Sequence, residues 1–159
     1  MSADPALAAP LVAAPGYRAI EHALQTEMRC VATIGLTGPA RAAVMTLLLT
    51  RKRQKVVLVV PDDAALALWH RDLVALASLL DQDPRGIVVF PALACDPYSN
   101  IPPHPEVERE RIRALGRLRR QDLDLLLVTA GALLSWLPPP AEIAASSHAV
   151  RVGAVLAPE

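Results

Sequence analysis

The stretch Lys55-Val56-Val57-Leu58-Val59-Val60-Pro61-Asp62-Asp63 decides the fold. Its centre is an unbroken apolar run, mostly β-branched. A strand with one wet face alternates apolar and polar residues, so a run without alternation predicts a strand buried on both faces, as in a parallel sheet covered by helices. Pro61 stops the strand. Asp62 is placed to cap a following helix whose apolar positions include Leu66, Trp69, Leu73, Leu76 and Leu80.

The same grammar repeats on either side. Upstream, Tyr17, Ile20, Leu24 and Met28 recur at helical spacing and predict a helix to about Arg29. Val31–Leu36 reads as a short buried strand running into Thr37-Gly38-Pro39. Pro39 suits the first turn of a helix that continues to about Arg53, where Arg51, Lys52 and Arg53 complement the negative helix end. Downstream, Ile87–Phe90 is a strand, and the five prolines from Pro91 to Pro105 exclude any regular element. Glu106–Arg120 is a charged helix with Val107, Ile112, Leu115 and Leu118 on one side. Leu123–Val128 is a strand, followed by a short helix ending at Trp136-Leu137, the stop Pro138–Pro140, a short helix at Ala141–Ala145 and a strand at Ala149–Val152. The alternation predicts an α/β fold: a parallel sheet of at least four strands, Val31–Leu36, Val56–Val60, Ile87–Phe90 and Leu125–Val128, flanked by helices on both faces.

Composition bounds the rest. The chain has 159 residues, 53% hydrophobic and 20% charged, enough for one globular domain or one domain and a fragment. Aromatics make up 3%, so the core must come from Leu, Val, Ile and Ala. A net charge of zero excludes whole-molecule attraction to nucleic acid or an anionic membrane. Cys30 and Cys95 lie outside any metal or redox spacing and read as free thiols of a reduced, cytoplasmic protein. Residues 1–15, rich in Ala and Pro and without Lys or Arg, read as a disordered leader rather than a signal. The most apolar stretch, Ala42–Thr50, is too short to span a bilayer.

The turn at Gly35-Leu36-Thr37-Gly38-Pro39-Ala40-Arg41-Ala42 stands where a phosphate-binding loop stands, between a first strand and a helix N-terminus. Such a loop needs backbone N–H groups opened by glycine, a Lys reaching the β/γ-phosphates and a Ser/Thr hydroxyl on magnesium. Here Ala40 replaces a glycine, Arg41 the Lys and Ala42 the hydroxyl, and Pro39 deletes an N–H. Gly35, Thr37, Gly38, Arg41 and Ala42 thus form a degenerate nucleotide site, expected to be inactive.

No other group of residues assembles catalytic or metal chemistry. The helix 106–120 carries Arg109, Arg111, Arg113, Arg117, Arg119 and Arg120. It reads as a solvated amphipathic helix with Glu–Arg pairs, and DNA contact is not expected without nearby stacking aromatics. His104 lacks a nucleophile within reach and reads as a residue at the start of that helix. Asp62-Asp63 reads as a cap, and His22, His70 and His148 form no ligand spacing.

Phe90-Pro91, Pro97-Tyr98, Pro103-His104-Pro105-Glu106-Val107 and Glu110-Arg111-Ile112, followed by Leu115 and Leu118, resemble a signature of the bacterial transcription-repair coupling factors (Mfd). Gly35-Leu36-Thr37-Gly38, Val59-Val60-Pro61-Asp62 and Val128-Thr129 with the proline stop are similar to the flanking elements. The likeness covers about Tyr17 to Val155. Leu93, Ala94 and Asp96 depart from the family pattern.

The resemblance implies a UvrB-like first α/β domain with a degenerate RecA-type P-loop over residues 16–146. It implies the beginning of a small α+β, UvrA-binding domain, cut short, over residues 147–159. The family's ATP- and magnesium-dependent translocase motors and its RNA polymerase-binding domain lie far downstream. A non-catalytic scaffold module follows, with no cofactor of its own and no tight binding of UvrA or RNA polymerase in isolation. The alternatives are a divergent P-loop NTPase using Arg41 and a flavodoxin-like ligand-binding domain.

Overall fold

The computed structural model describes residues 5–26, 28–52, 55–93, 102–147 and 152–153. Helices α1 (Pro5–Ala13), α2 (Pro15–Gln25) and α3 (Gly38–Lys52) precede strand β1 (Val56–Val60) and helix α4 (Asp63–Leu79). A 3-10 turn at Pro84–Gly86 leads into β2 (Ile87–Phe90). Then come α5 (Pro105–Arg119), β3 (Leu125–Thr129), α6 (Ala130–Leu134) and α7 (Pro140–Ala145). The strands form one parallel sheet in the order β1-β3-β2, with Val56 opposite Leu125 and Ile87 opposite Leu125 on the other side.

Alternation along β3 sends side chains into two cores. Leu125 and Leu127 pack with Val60, Ala42 of α3, and Leu66 and Leu73 of α4. Leu126 and Val128 pack on the opposite face with Val88, Phe90, Ala114 of α5 and Ala132 of α6. Fully buried leucines such as Leu73, Leu125 and Leu127 each contribute about 2 to 3 kcal/mol of transfer free energy. Asp62 caps α4 as expected, its Oδ1 accepting from the Ala65 N–H at 2.7 Å.

Three readings from sequence are corrected. Val31–Leu36 joins no sheet. Among the described residues the sheet has three strands, and Val31–Ile34, Leu36, Ala40 and Val44 instead border an apolar cavity of about 360 Å³ beside α1 and α2. Ile34 is 95% exposed, so β propensity in this segment finds no edge to pair with. Second, β1 is buried on one face only. Val56, Leu58 and Val60 pack under α3 and α4, whereas Val57 and Val59 are 59% and 50% exposed, because α5 covers β2 and β3 but does not reach β1. Third, the leader is not disordered throughout: residues 5–13 form α1, favoured by Ala and Leu, and Ala8 and Val12 pack against Tyr17, Leu47 and Leu80.

The remaining elements fall close to expectation, although α2 ends at Gln25, short of Arg29, with Met28 exposed, and α6 ends at Leu134, before Trp136. The strand expected at Ala149–Val152 lies outside the described residues except for Val152, which sits in a turn with Gly153. No helix among the described residues is long and apolar enough to cross a membrane.

Candidate functional site

The residues singled out by sequence separate onto opposite faces of the sheet. On the α5 side, the periodicity of α5 places Val107, Arg111, Ala114 and Leu115 on one face, three or four residues apart, toward β2, whereas Leu118 is exposed. Arg111 is therefore directed inward and is 6% exposed. Its Nη1 donates to the Pro91 carbonyl oxygen at 2.7 Å, and its guanidinium carbon lies 4.2 Å from the centroid of the Phe90 ring. Charge on a buried guanidinium is tolerable only with such partners. Phe90, Pro91 and Arg111 thus form one joint at the C-terminal end of β2, where the proline-rich loop departs. Glu110, the neighbour of Arg111, points to solvent.

The far end of that loop is held separately. His104 is the N-cap of α5, and its Nδ1 accepts from the Glu106 N–H at 3.3 Å. Pro103 precedes it, half-buried. Pro97, Tyr98 and Cys95 lie outside the described residues. Cys30 is exposed and unbonded.

On the α4 side, the glycine turn is built differently. Gly35 adopts φ +79°, a conformation that favours glycine, and a Cβ at Gly35 or Gly38 would meet nothing within 4 Å. Thr37 is exposed, and its carbonyl accepts the Arg41 N–H at 3.0 Å as α3 begins. Arg41 does not reach over the turn. Its guanidinium carbon lies 5.9 Å from the Trp69 ring centroid, on α4. Ala42 is 1% exposed and belongs to the core under α4, so the position of a magnesium-binding hydroxyl faces packed leucines. Trp69 stands one turn after Leu66 on the apolar face of α4, a spacing that marks it as core and gives no sign of its contact with Arg41.

A polar cleft of about 590 Å³ opens at the opposite, N-terminal end of the strands, between Lys55, Asp83, Arg85, Gly86, Arg117, Asp122 and Asp124. Lys55 Nζ donates to the Leu123 carbonyl at 2.9 Å and to that of Gln121. Arg117 donates to the Arg85 carbonyl, and its Nε lies 3.3 Å from Asp122. The Arg85 side chain and backbone N–H hold the Asp83 carboxyl below the usual carboxylate range, while hydrogen bonding to Asp83 raises Arg85. Ligands of open α/β sheets bind beyond the carboxyl ends of strands, so this cleft is at the structural end. Arg85 pairs with Asp83 and Arg117 with Asp122, and Lys55 is taken up by backbone carbonyls.

Among the described residues no His, Cys, Asp and Glu side chains gather as a metal site. Neither a known protein family nor a curated protein matches the chain.

Proposed function

We propose that this chain is a nucleotide-silent α/β module that serves as a scaffold in a protein of the transcription-repair coupling type, in which a DNA translocase displaces stalled RNA polymerase and recruits excision repair through UvrA. The observation that carries the reading is the joint of Phe90, Pro91 and Arg111. Residues of the family-like signature that lie twenty apart in sequence meet through a hydrogen bond and a ring contact. They act as a structural clasp, which accounts for their spacing without invoking catalysis.

The silence of the module is supported from the other face. Arg41 is engaged with Trp69 and Ala42 is packed in the core, so neither is offered to a triphosphate or to its magnesium ion. The UvrB-like and P-loop ancestry and the cytoplasmic setting belong to the same proposal.

The test has two arms. Titration with a fluorescent ATP analogue and magnesium is expected to give no saturable signal. Saturable, magnesium-dependent binding that disappears in Arg41→Ala would instead establish the NTPase reading. In the second arm, UvrA is titrated with this chain and with a longer chain carrying the following domain. Binding is expected only with the longer chain; equal affinity for both would place the UvrA surface on the α/β unit.

A further inference from the structure

The six arginines of the α5 region do not share one fate. Arg111 is committed to Phe90 and Pro91, and Arg117 to Asp122 and the Arg85 carbonyl. Helical phase directs Arg109, Arg113 and Arg120 the other way, at spacings of four and seven residues along the ridge opposite the buried stripe. All three are exposed. The sequence suggested that neighbouring glutamates would neutralise them. Among the described residues, however, no ion pair involves Arg109, Arg113, Arg119 or Arg120. Glu106 and Glu110 fall on one flank of the ridge, while Ile112, 68% exposed, and α7 lie on the other flank. Arg120 folds back along the helix, its Nη1 3.5 Å from where a Cβ on Gly116 would sit, which keeps its charge in line with the other two.

We propose that this ridge of Arg109, Arg113 and Arg120 docks on the phosphate backbone of double-helical DNA without reading its bases. With Arg120 folded back to the level of Gly116, the three guanidinium groups span about 10 Å at 1.5 Å per residue. At about 3.4 Å of duplex axis per phosphate of one strand, that length covers about three phosphates, one for each guanidinium. Arginine forks match phosphate oxygens bidentately, and a rigid helix presents them without ordering a loop. Neither α5 nor α7 carries an aromatic side chain, so the ridge itself offers charge to a phosphate backbone and no base-stacking platform. The zero net charge of the chain confines the attraction to this face. The contact does not depend on the proposed scaffold role.

The experiment is a fluorescence-anisotropy titration of a labelled DNA duplex with the full chain. Binding at about 50 mM salt is expected to weaken about 40-fold by about 200 mM, a log–log slope of about −2.7 for three phosphates. The combined variant Arg109→Ala, Arg113→Ala, Arg120→Ala is expected to lose at least about tenfold in affinity and most of the salt slope. The Arg→Lys triple should retain the slope, since ammonium groups release the same counterions. Arg71→Ala, on α4 and paired with Asp72, should leave binding unchanged. Near-ultraviolet circular dichroism of each variant reports the fold. Three results would overturn the proposal: no binding at low salt, binding indifferent to the folded Ala triple, or binding of poly-glutamate that matches the duplex and depends equally on the ridge.

Discussion

The joint at Phe90, Pro91 and Arg111 and the turn at Gly35–Ala42 are the two places where the sequence invites a functional reading, and the fold treats them oppositely. The joint is closed. Its arginine is buried, its carbonyl acceptor is satisfied and its ring is in contact. The turn is open, with an exposed Thr37, empty space around two glycines and an arginine drawn away to a tryptophan. A buried polar group must be fully partnered, so every atom of the joint is constrained, whereas solvent satisfies the turn whatever its residues are. An exposed turn can therefore change residues and keep its shape, while a buried arginine cannot persist without its partners.

Removing Arg111 should have the largest consequence. Arg111→Ala takes away a guanidinium that bonds the Pro91 carbonyl and covers Phe90, leaves a cavity, and is expected to cost about 3 kcal/mol. Urea unfolding monitored by circular dichroism measures it. A loss below about 1 kcal/mol would show the joint to be dispensable.

The turn should respond far less. Gly35→Ala meets no steric obstacle but places an L side chain at φ +79°, and a cost of about 1 kcal/mol is expected from backbone strain alone. A neutral result in the same urea experiment would mean that the turn relaxes freely. Arg41→Ala removes an exposed guanidinium–ring contact, and about 0.5 kcal/mol is expected, with no change in ATP-analogue signal. Thermal melts of wild type and variant at equal concentration check the first part, and the nucleotide titration checks the second.

An equally small effect is expected at the far end of the proline-rich loop. His104→Ala deletes a long capping bond to the Glu106 N–H and should cost about 0.5 kcal/mol, whereas His104→Asp should restore or improve the cap. Amide exchange at Glu106 and Val107 reads the fraying directly.

These contrasts also mark how far the sequence could be read. The apolar runs at Val56–Val60, Ile87–Phe90 and Leu125–Val128 announced β1, β2 and β3 because strands of a covered parallel sheet need continuous apolar residues. Val31–Leu36 satisfied the same local rule and failed, since propensity within a segment carries no information about whether an edge lies within reach. The open face of β1 was illegible for a similar reason: whether α5 extends over Val57 and Val59 depends on where it crosses the sheet. Arg111 is the instructive miss. A charged residue amid Glu and Arg looks solvated, yet its spacing from Val107, Ala114 and Leu115 already puts it on the buried face. Ile112, read as inward by its type, is displaced by that same phase.

The uncovered side of β1 has a consequence for the behaviour of many molecules together. β1 pairs with β3 along one edge only among the described residues, and Val57 and Val59 stand bare beside the free edge. A five-residue strand without charge, proline or glycine is a template on which a second copy can add its own strand, the first step of cross-β growth. The flanks oppose this. Lys55 places a charge at one end of the strand, and Pro61 with Asp62 removes an amide donor and adds a carboxylate at the other. The chain thus carries its own gatekeepers at this edge of the sheet, and loss of the Lys55 charge would shift the solution toward polymer as concentration rises.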